Sequence, residues 1–229
     1  MVVPSGFLRE VFAHHGADAE IVPNIIDLAR FTPDPTPLSN REPHIVIARH
    51  LEAIYGIDTA LRAFALVRRE LPAARMTVAG QGPEAARLRV LAGELGLAAS
   101  VDFCGQLDRD GVAALLRGAA VSLNASRVDN MPNSVLEALA SGVPVVSTNV
   151  GGVPWLVRDG QTALLVPPDD ASAMAVALVR VLTEPALASA LASAGRAEAQ
   201  AYGWPRVREQ WAAVYGRVRR VPAAQTRAA

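Results

Sequence analysis

An α/β fold, with a parallel sheet covered by helices on both faces, is what this sequence predicts, and three observations carry the prediction. Short apolar runs rich in β-branched residues recur along the chain, each of a length suited to a buried strand. Between them lie stretches with apolar residues at helical spacing, so strand-like and helix-like segments alternate as in βαβ units. The 229 residues are 51% hydrophobic and only 19% charged, enough apolar material for a sizeable core.

The elements follow in order. Residues 1–31 open with a short apolar run, pass through a helix-like stretch and reach a strand-like segment at 20–26. This opening is too small for a core of its own, and its apolar residues ask for a partner. After a Pro-rich connection at 32–43, strand-like runs recur at 45–48, 76–79, 101–104, 121–123, 143–146 and 163–166. The segment 57–71 places Ala60, Leu61, Phe64, Ala65, Val67 and Leu71 on one stripe, and 84–97 and 108–117 behave similarly. Residues 171–201 and 204–218 read as consecutive helices, broken at Glu184-Pro185 and around Gly203-Trp204-Pro205, appended to a Rossmann-like sheet domain. Residues 219–229 carry a basic cluster and then small polar residues, and are expected to be a disordered tail.

Composition excludes several function classes. With 22 basic and 22 acidic residues there is no basic stripe, so nucleic acid is not an expected partner. The single cysteine, Cys104, cannot form an internal disulfide and is expected to be a buried, inert thiol. No apolar run reaches the length of a membrane span and the first residues lack the order of a signal peptide, so the expected address is the cytoplasm. His14 and His15 read as solvated helix residues, no His-x-x-x-His spacing occurs, and no bound catalytic metal is expected. A Gly-x-Ser-x-Gly elbow is missing, which removes support for an α/β-hydrolase.

The most informative window is 126–148. Residues 121–123 read as a buried strand, 124–131 as a polar loop, and Pro132 suits the first turn of a helix. Val135, Leu136, Leu139 and Ala140 then recur at helical spacing until Gly142 stops the helix before the next strand. Ligands of open α/β sheets bind at the carboxyl ends of strands, where this loop lies. The free N–H groups of Asn133, Ser134 and Val135 would form an anion seat, flanked by the carboxylates of Asp129 and Glu137. A carboxylate aimed at a diphosphate would be repelled, so Glu137 is expected to accept from a diol such as ribose, to one side of the phosphates. Arg49 follows the strand 45–48 and would emerge at the same edge, bridging a phosphate or else capping nearby carbonyls; His50 beside it can donate to the same anion.

A rival motif is Gly80-Gln81-Gly82-Pro83-Glu84-Ala85, which matches a dinucleotide fingerprint with Asp102 about 20 residues on. Taken alone it would give an NAD-dependent dehydrogenase. The glycines follow the second strand of the sheet domain, however, and Asp102 precedes Phe103-Cys104 when a ribose ligand should follow a strand. A tight strand-to-helix turn lining the same cleft is the better reading.

With these residues in place, the chain resembles the donor-binding half of a GT-B glycosyltransferase of the large retaining family called family 4, or group 1. The resemblance runs from VPSGFLREVF and IVPNIIDLARF through IARHLEAIYGIDTALRAFALV, MTVAGQGPEAARL and VDFCGQLDRDGVAALLRGAAVSLNAS to DNMPNSVLEALASGVPVVSTNVGGVPWLVRDGQTALLVPPDD and YGWPRVREQWAAVY. Its strongest element is the family's acidic pair separated by seven residues, here Asp129 and Glu137. The resemblance implies that these two are catalytic, with Glu137 on ribose and Asp129, in place of a glutamate, near the reacting centre. It implies a donor-binding set of Arg49, His50, Gly80, Gln106, Leu107, Asn130, Met131, Pro132, Asn133, Ser134 and Val135, with Arg49 balancing the diphosphate and Gln106 and Leu107 cradling the base. Where the family commonly has a lysine shortly after the arginine, this chain has Tyr55.

The implied reaction is retaining sugar transfer from a UDP-sugar or GDP-sugar, with no cofactor or metal. The acceptor-binding amino-terminal domain of such enzymes is missing from the matched region. Residues 1–27 are accordingly expected to be its remnant and connection, 28–218 the donor domain and 219–229 the tail. Glycolipid and polysaccharide acceptors, common in the family, imply peripheral association with the inner face of the membrane. The alternative is a non-catalytic nucleotide-sugar-binding fragment, or half of a split enzyme.

Overall fold

The structure, a computed structural model, describes residues 1–218, so the tail expected at 219–229 lies outside the described residues. The chain opens with β1 (Val2–Val3), α1 (Gly6–His14) and β2 (Glu20–Ile21), where β1 and β2 pair in parallel as a small separate sheet. Strand β2 stops well short of the expected residue 26, because Pro23 has no N–H for a ladder. Ile26 forms only an isolated bridge to Gly203.

The main sheet begins at β3 (His44–Ala48). There follow α2 (Ile57–Glu70), β4 (Arg75–Ala79), α3 (Ala85–Glu94), β5 (Val101–Gly105), α4 (Arg109–Arg117), β6 (Val121–Asn124), α5 (Asn133–Ala140), β7 (Val145–Thr148), α6 (Val153–Leu156) and β8 (Leu164–Val166). The six strands are all parallel in the order β5-β4-β3-β6-β7-β8. Connections from β3 run outward to one edge and then, from β6, outward to the other. The order therefore reverses between β3 and β6, the place where doubly wound sheets open a crevice. Alternate side chains of β3 serve opposite faces: Ile45 and Ile47 enter one core with α2 and residues such as Met174 and Leu178, whereas Val46 enters the other with α5 and α6. The helices α7 (Ala171–Thr183), α8 (Pro185–Ala199) and α9 (Trp204–Val218) close the described chain. Helices α7 and α8 meet at Glu184-Pro185 as expected, and α7 packs on α2. Among the described residues no single helix is long and apolar enough to cross a membrane.

Two expectations need correction. Strand β7 begins at Val145 and runs through Ser147 and Thr148. The apolar count ran into Pro144, which enters the ladder only through its carbonyl, accepting from Ser122 N–H at 2.9 Å. Ser147 and Thr148 are fully buried, because they are hydrogen-bonded rather than apolar. Cys104, expected to be buried, is exposed on the edge strand β5. Partial burial of its sulfur and the charge of Asp102 push its thiol pKa up, so it stays protonated and weakly nucleophilic.

Candidate functional site

The crevice is built from loops that leave the carboxyl ends of β3, β4, β5 and β6. Arg49 N–H donates to Ala79 C=O at 2.9 Å, Leu51 N–H to Gln81 C=O at 2.9 Å and Gly80 N–H to Gly105 C=O at 2.7 Å. Three successive loops thus hang together by backbone bonds. Gly80, at φ +155, and Gly82 lie directly against the carbonyls of Arg49 and Leu51, where a Cβ has no room. The glycine pair therefore lets one loop approach another. Asp102 is the second of the five residues of β5 and exposed, three residues short of the carboxyl edge a ribose ligand would need. The dinucleotide reading has no site here.

The cleft so formed, of about 210 Å³, brings together Arg49, His50, Gly80, Gln106, Leu107, Asn133, Ser134 and Glu137 of the expected set, with Tyr55 and Gln81 added. His50 is exposed, its Nδ1 3.4 Å from the Gln81 carbonyl oxygen. Helix α5 starts at Asn133, with Pro132 as the residue before its first turn. Asn133 and Ser134 N–H groups, in the first turn, have no intrahelical acceptor. Val135 N–H donates to Pro132 C=O at 3.1 Å and its side chain is buried, so Val135 drops out of the anion seat. Glu137, one turn into α5, is half-buried, and among the described residues no hydrogen bond ends on its carboxylate. Burial pushes its pKa up, opposed by Arg109 and then Arg49.

The rest of the expected set faces elsewhere. Asp129 is buried, its carboxylate paired with Arg49 and 3.0 Å from the Ser126 hydroxyl. Burial pushes its pKa up, and the charge of Arg49 and the Ser126 hydrogen bond oppose that. Asn130 accepts from the Ser5 hydroxyl at the start of α1. The Met131 carbonyl accepts from Asn24 Nδ2 at 3.2 Å, and the same amide donates to Asn133 Oδ1 at 2.9 Å. Pro132 is buried. Asn130 and Met131 are thus tied to the amino-terminal segment, Asp129 is held by Arg49 and Ser126, and none of residues 129–132 lines the cleft.

Several supporting residues gave no sequence signal. Ser126, Asn124, Ser147 and Thr148 form a buried polar chain beneath the loop, with Asn124 Nδ2 donating to Ser147 Oγ at 3.0 Å and Thr148 Oγ1 to Ser126 C=O at 2.6 Å. Polar letters in a loop look solvated until the fold covers them. Arg127 ties the other end of the loop to Asp58 at 3.0 Å and Asp169 at 2.8 Å. Gly151 and Gly152 lie against the carbonyls of Asp129 and Asn130, and Gly152 N–H donates to Asp129 C=O at 3.0 Å. Tyr55, visible in the sequence only as a departure from a pattern, carries the Arg49 guanidinium 4.3 Å from its ring centre.

Residues 30–198 match the family model described as glycosyl transferases group 1. Glycogen synthase of Mycobacterium tuberculosis is 30% identical over 214 residues, covering 91% of this chain and 50% of that protein. Sucrose-phosphate synthase of Thermosynechococcus elongatus superposes with a TM-score of 0.84 at 29% identity, covering 95% of this chain and 57% of that one. HepE of Anabaena in complex with UDP-glucose superposes at 0.85 with 19% identity, a likeness of fold, over 94% of this chain and 63% of that one. The chain spans about half the length of the curated relatives it matches.

Proposed function

The chain belongs to the glycosyl transferases of group 1, and on that premise we propose that it forms the donor half of a retaining, metal-independent glycosyltransferase using a UDP-sugar or GDP-sugar. The observation that carries this reading is Glu137. It is an uncommitted carboxylate sharing one cleft, at the switch point of the sheet, with the first-turn N–H groups of α5 and with Arg49. An acceptor-only group beside a cation and free N–H donors suits a ligand that joins a diol to an anion, which a nucleoside diphosphate does. The UDP-glucose held by the similarly folded HepE is of that chemistry.

In this reading Glu137 accepts from the ribose hydroxyls, and Gln106 and Leu107 flank the base. When the bond from the sugar's anomeric carbon to the diphosphate breaks, the electron pair leaves on a phosphate oxygen. Arg49 and the Asn133 and Ser134 N–H groups stabilise that charge. In this reading the acceptor is bound by a separate domain. Transfer by the isolated chain is not expected.

Calorimetric titration tests the assignment. UDP or GDP should bind the chain, and Arg49→Ala should weaken the nucleotide far more than uridine or guanosine. Tight binding of NADH with no response to either nucleotide would overturn the reading.

A further inference from the structure

The cleft wall is short of positive charge for a diphosphate. Of the described arginines, Arg49 alone lines the cleft, between two carboxylates: Asp129 is bonded to it, and Glu137 feels its charge after the larger effect of Arg109, which lies outside the lining. Beside Arg49 the cleft wall presents the aromatic ring of Tyr55 rather than a second cation. The guanidinium is itself incompletely used, because its Nε is buried and has no hydrogen-bond partner. It rests on the face of Tyr55, an attachment that fixes distance but leaves the in-plane N–H groups free to change partner. The Asp129 carboxylate also lies 3.0 Å from the Ser126 hydroxyl, whose single proton can go either to it or to Asn124 Oδ1 at 2.8 Å, so Asp129 has a protein donor within reach when Arg49 turns away.

We propose that Asp129 is the resident counter-ion of Arg49, and that a diphosphate displaces it as the partner of the guanidinium, which pivots on Tyr55. The proposal rests on the reading of this cleft as a diphosphate seat. It makes Asp129 a positioning residue that opposes donor entry, because each diphosphate must compete with an anion already bound to the arginine. Its sign is the reverse of that expected for a residue that only holds the ligand: removing the charge of Asp129 strengthens phosphate binding.

The experiment is calorimetric titration of UDP, uridine and inorganic pyrophosphate into the wild-type chain, Asp129→Asn, Arg49→Ala and the double variant. Asparagine keeps the shape and an oxygen acceptor for Arg49 while removing the charge. Asp129→Asn should tighten UDP and pyrophosphate by about three- to tenfold, the size of one removed charge at a half-screened site, and leave uridine unchanged. In the Arg49→Ala background the gain should vanish. Tyr55→Leu should lose about two- to fivefold of UDP affinity, the scale of one cation–π contact. Unchanged or weaker binding of UDP and pyrophosphate by Asp129→Asn, or a gain that survives without Arg49, would overturn the exchange. A chain that binds pyrophosphate in this pattern but neither UDP nor GDP would overturn the donor reading alone. Binding of none of these by wild type and Asp129→Asn would overturn both.

Discussion

The two carboxylates that bracket the start of α5 are held in opposite ways. Asp129, in the loop after β6, is buried, paired with Arg49, hydrogen-bonded by Ser126 and wedged over Gly151 and Gly152. Glu137, on the helix itself, faces the cleft with no hydrogen-bond partner among the described residues. Seven residues separate them, yet one is committed to the protein and the other is open to a ligand. The difference arises from their elements. A loop can bend its side chain back into the sheet edge, whereas a residue one turn into a helix projects its side chain outward from the rod.

That contrast can be broken by experiment, and the largest effect should fall on the committed side. Arg49→Ala leaves Asp129 buried without its cation and should cost about 3 kcal/mol of folding stability, read from urea denaturation. A loss below about 0.5 kcal/mol would show that the pair is exposed in solution. Glu137→Ala should do the reverse. It should leave the urea midpoint nearly unchanged but weaken UDP or GDP, and uridine or guanosine with them, by roughly 1 to 3 kcal/mol. Unchanged calorimetric affinity would remove Glu137 from the ribose.

Smaller effects sharpen the boundary between the two regions. Asn24→Ala removes the stitches to Met131 and Asn133 and should cost about 1 kcal/mol of stability, visible as a lower melting temperature. The smallest effect is in the pH dependence. Burial raises the Glu137 pKa in the folded chain, so the folded state holds its proton more tightly than the unfolded state does. Stability from this group is therefore fully present below the unfolded carboxyl pKa and is lost as pH rises through the raised folded value. Glu137→Gln should be more stable than the wild type at neutral pH, with the gap closing as pH falls towards about 4. A gap that widens on acidification would mean that the carboxylate is stabilised by its neighbours rather than penalised by burial.

Much of this was legible in the sequence, for physical reasons that differ from element to element. Strand β3 could be read because both its faces are buried, which forces the continuous apolar run Ile45-Val46-Ile47. Glu137 could be read because a helix start fixes where the fifth residue points. The direction of Asp129, Asn130 and Met131 could not. Loop side chains are aimed by contacts with distant residues, here Ser5 and Asn24, and those contacts leave no local pattern. Cys104 was misplaced because its strand lies at the edge of the sheet, a position that an apolar neighbour such as Phe103 does not report.

The bond from Gly152 N–H to Asp129 C=O gives the loop a clock of its own. While the loop rests on the two glycines that amide is shielded, and it can take up deuterium only when the loop lifts away from them. Its exchange rate therefore counts loop openings. Amides in the middle of β3, which open only with the sheet, supply the slow reference against which those openings stand out.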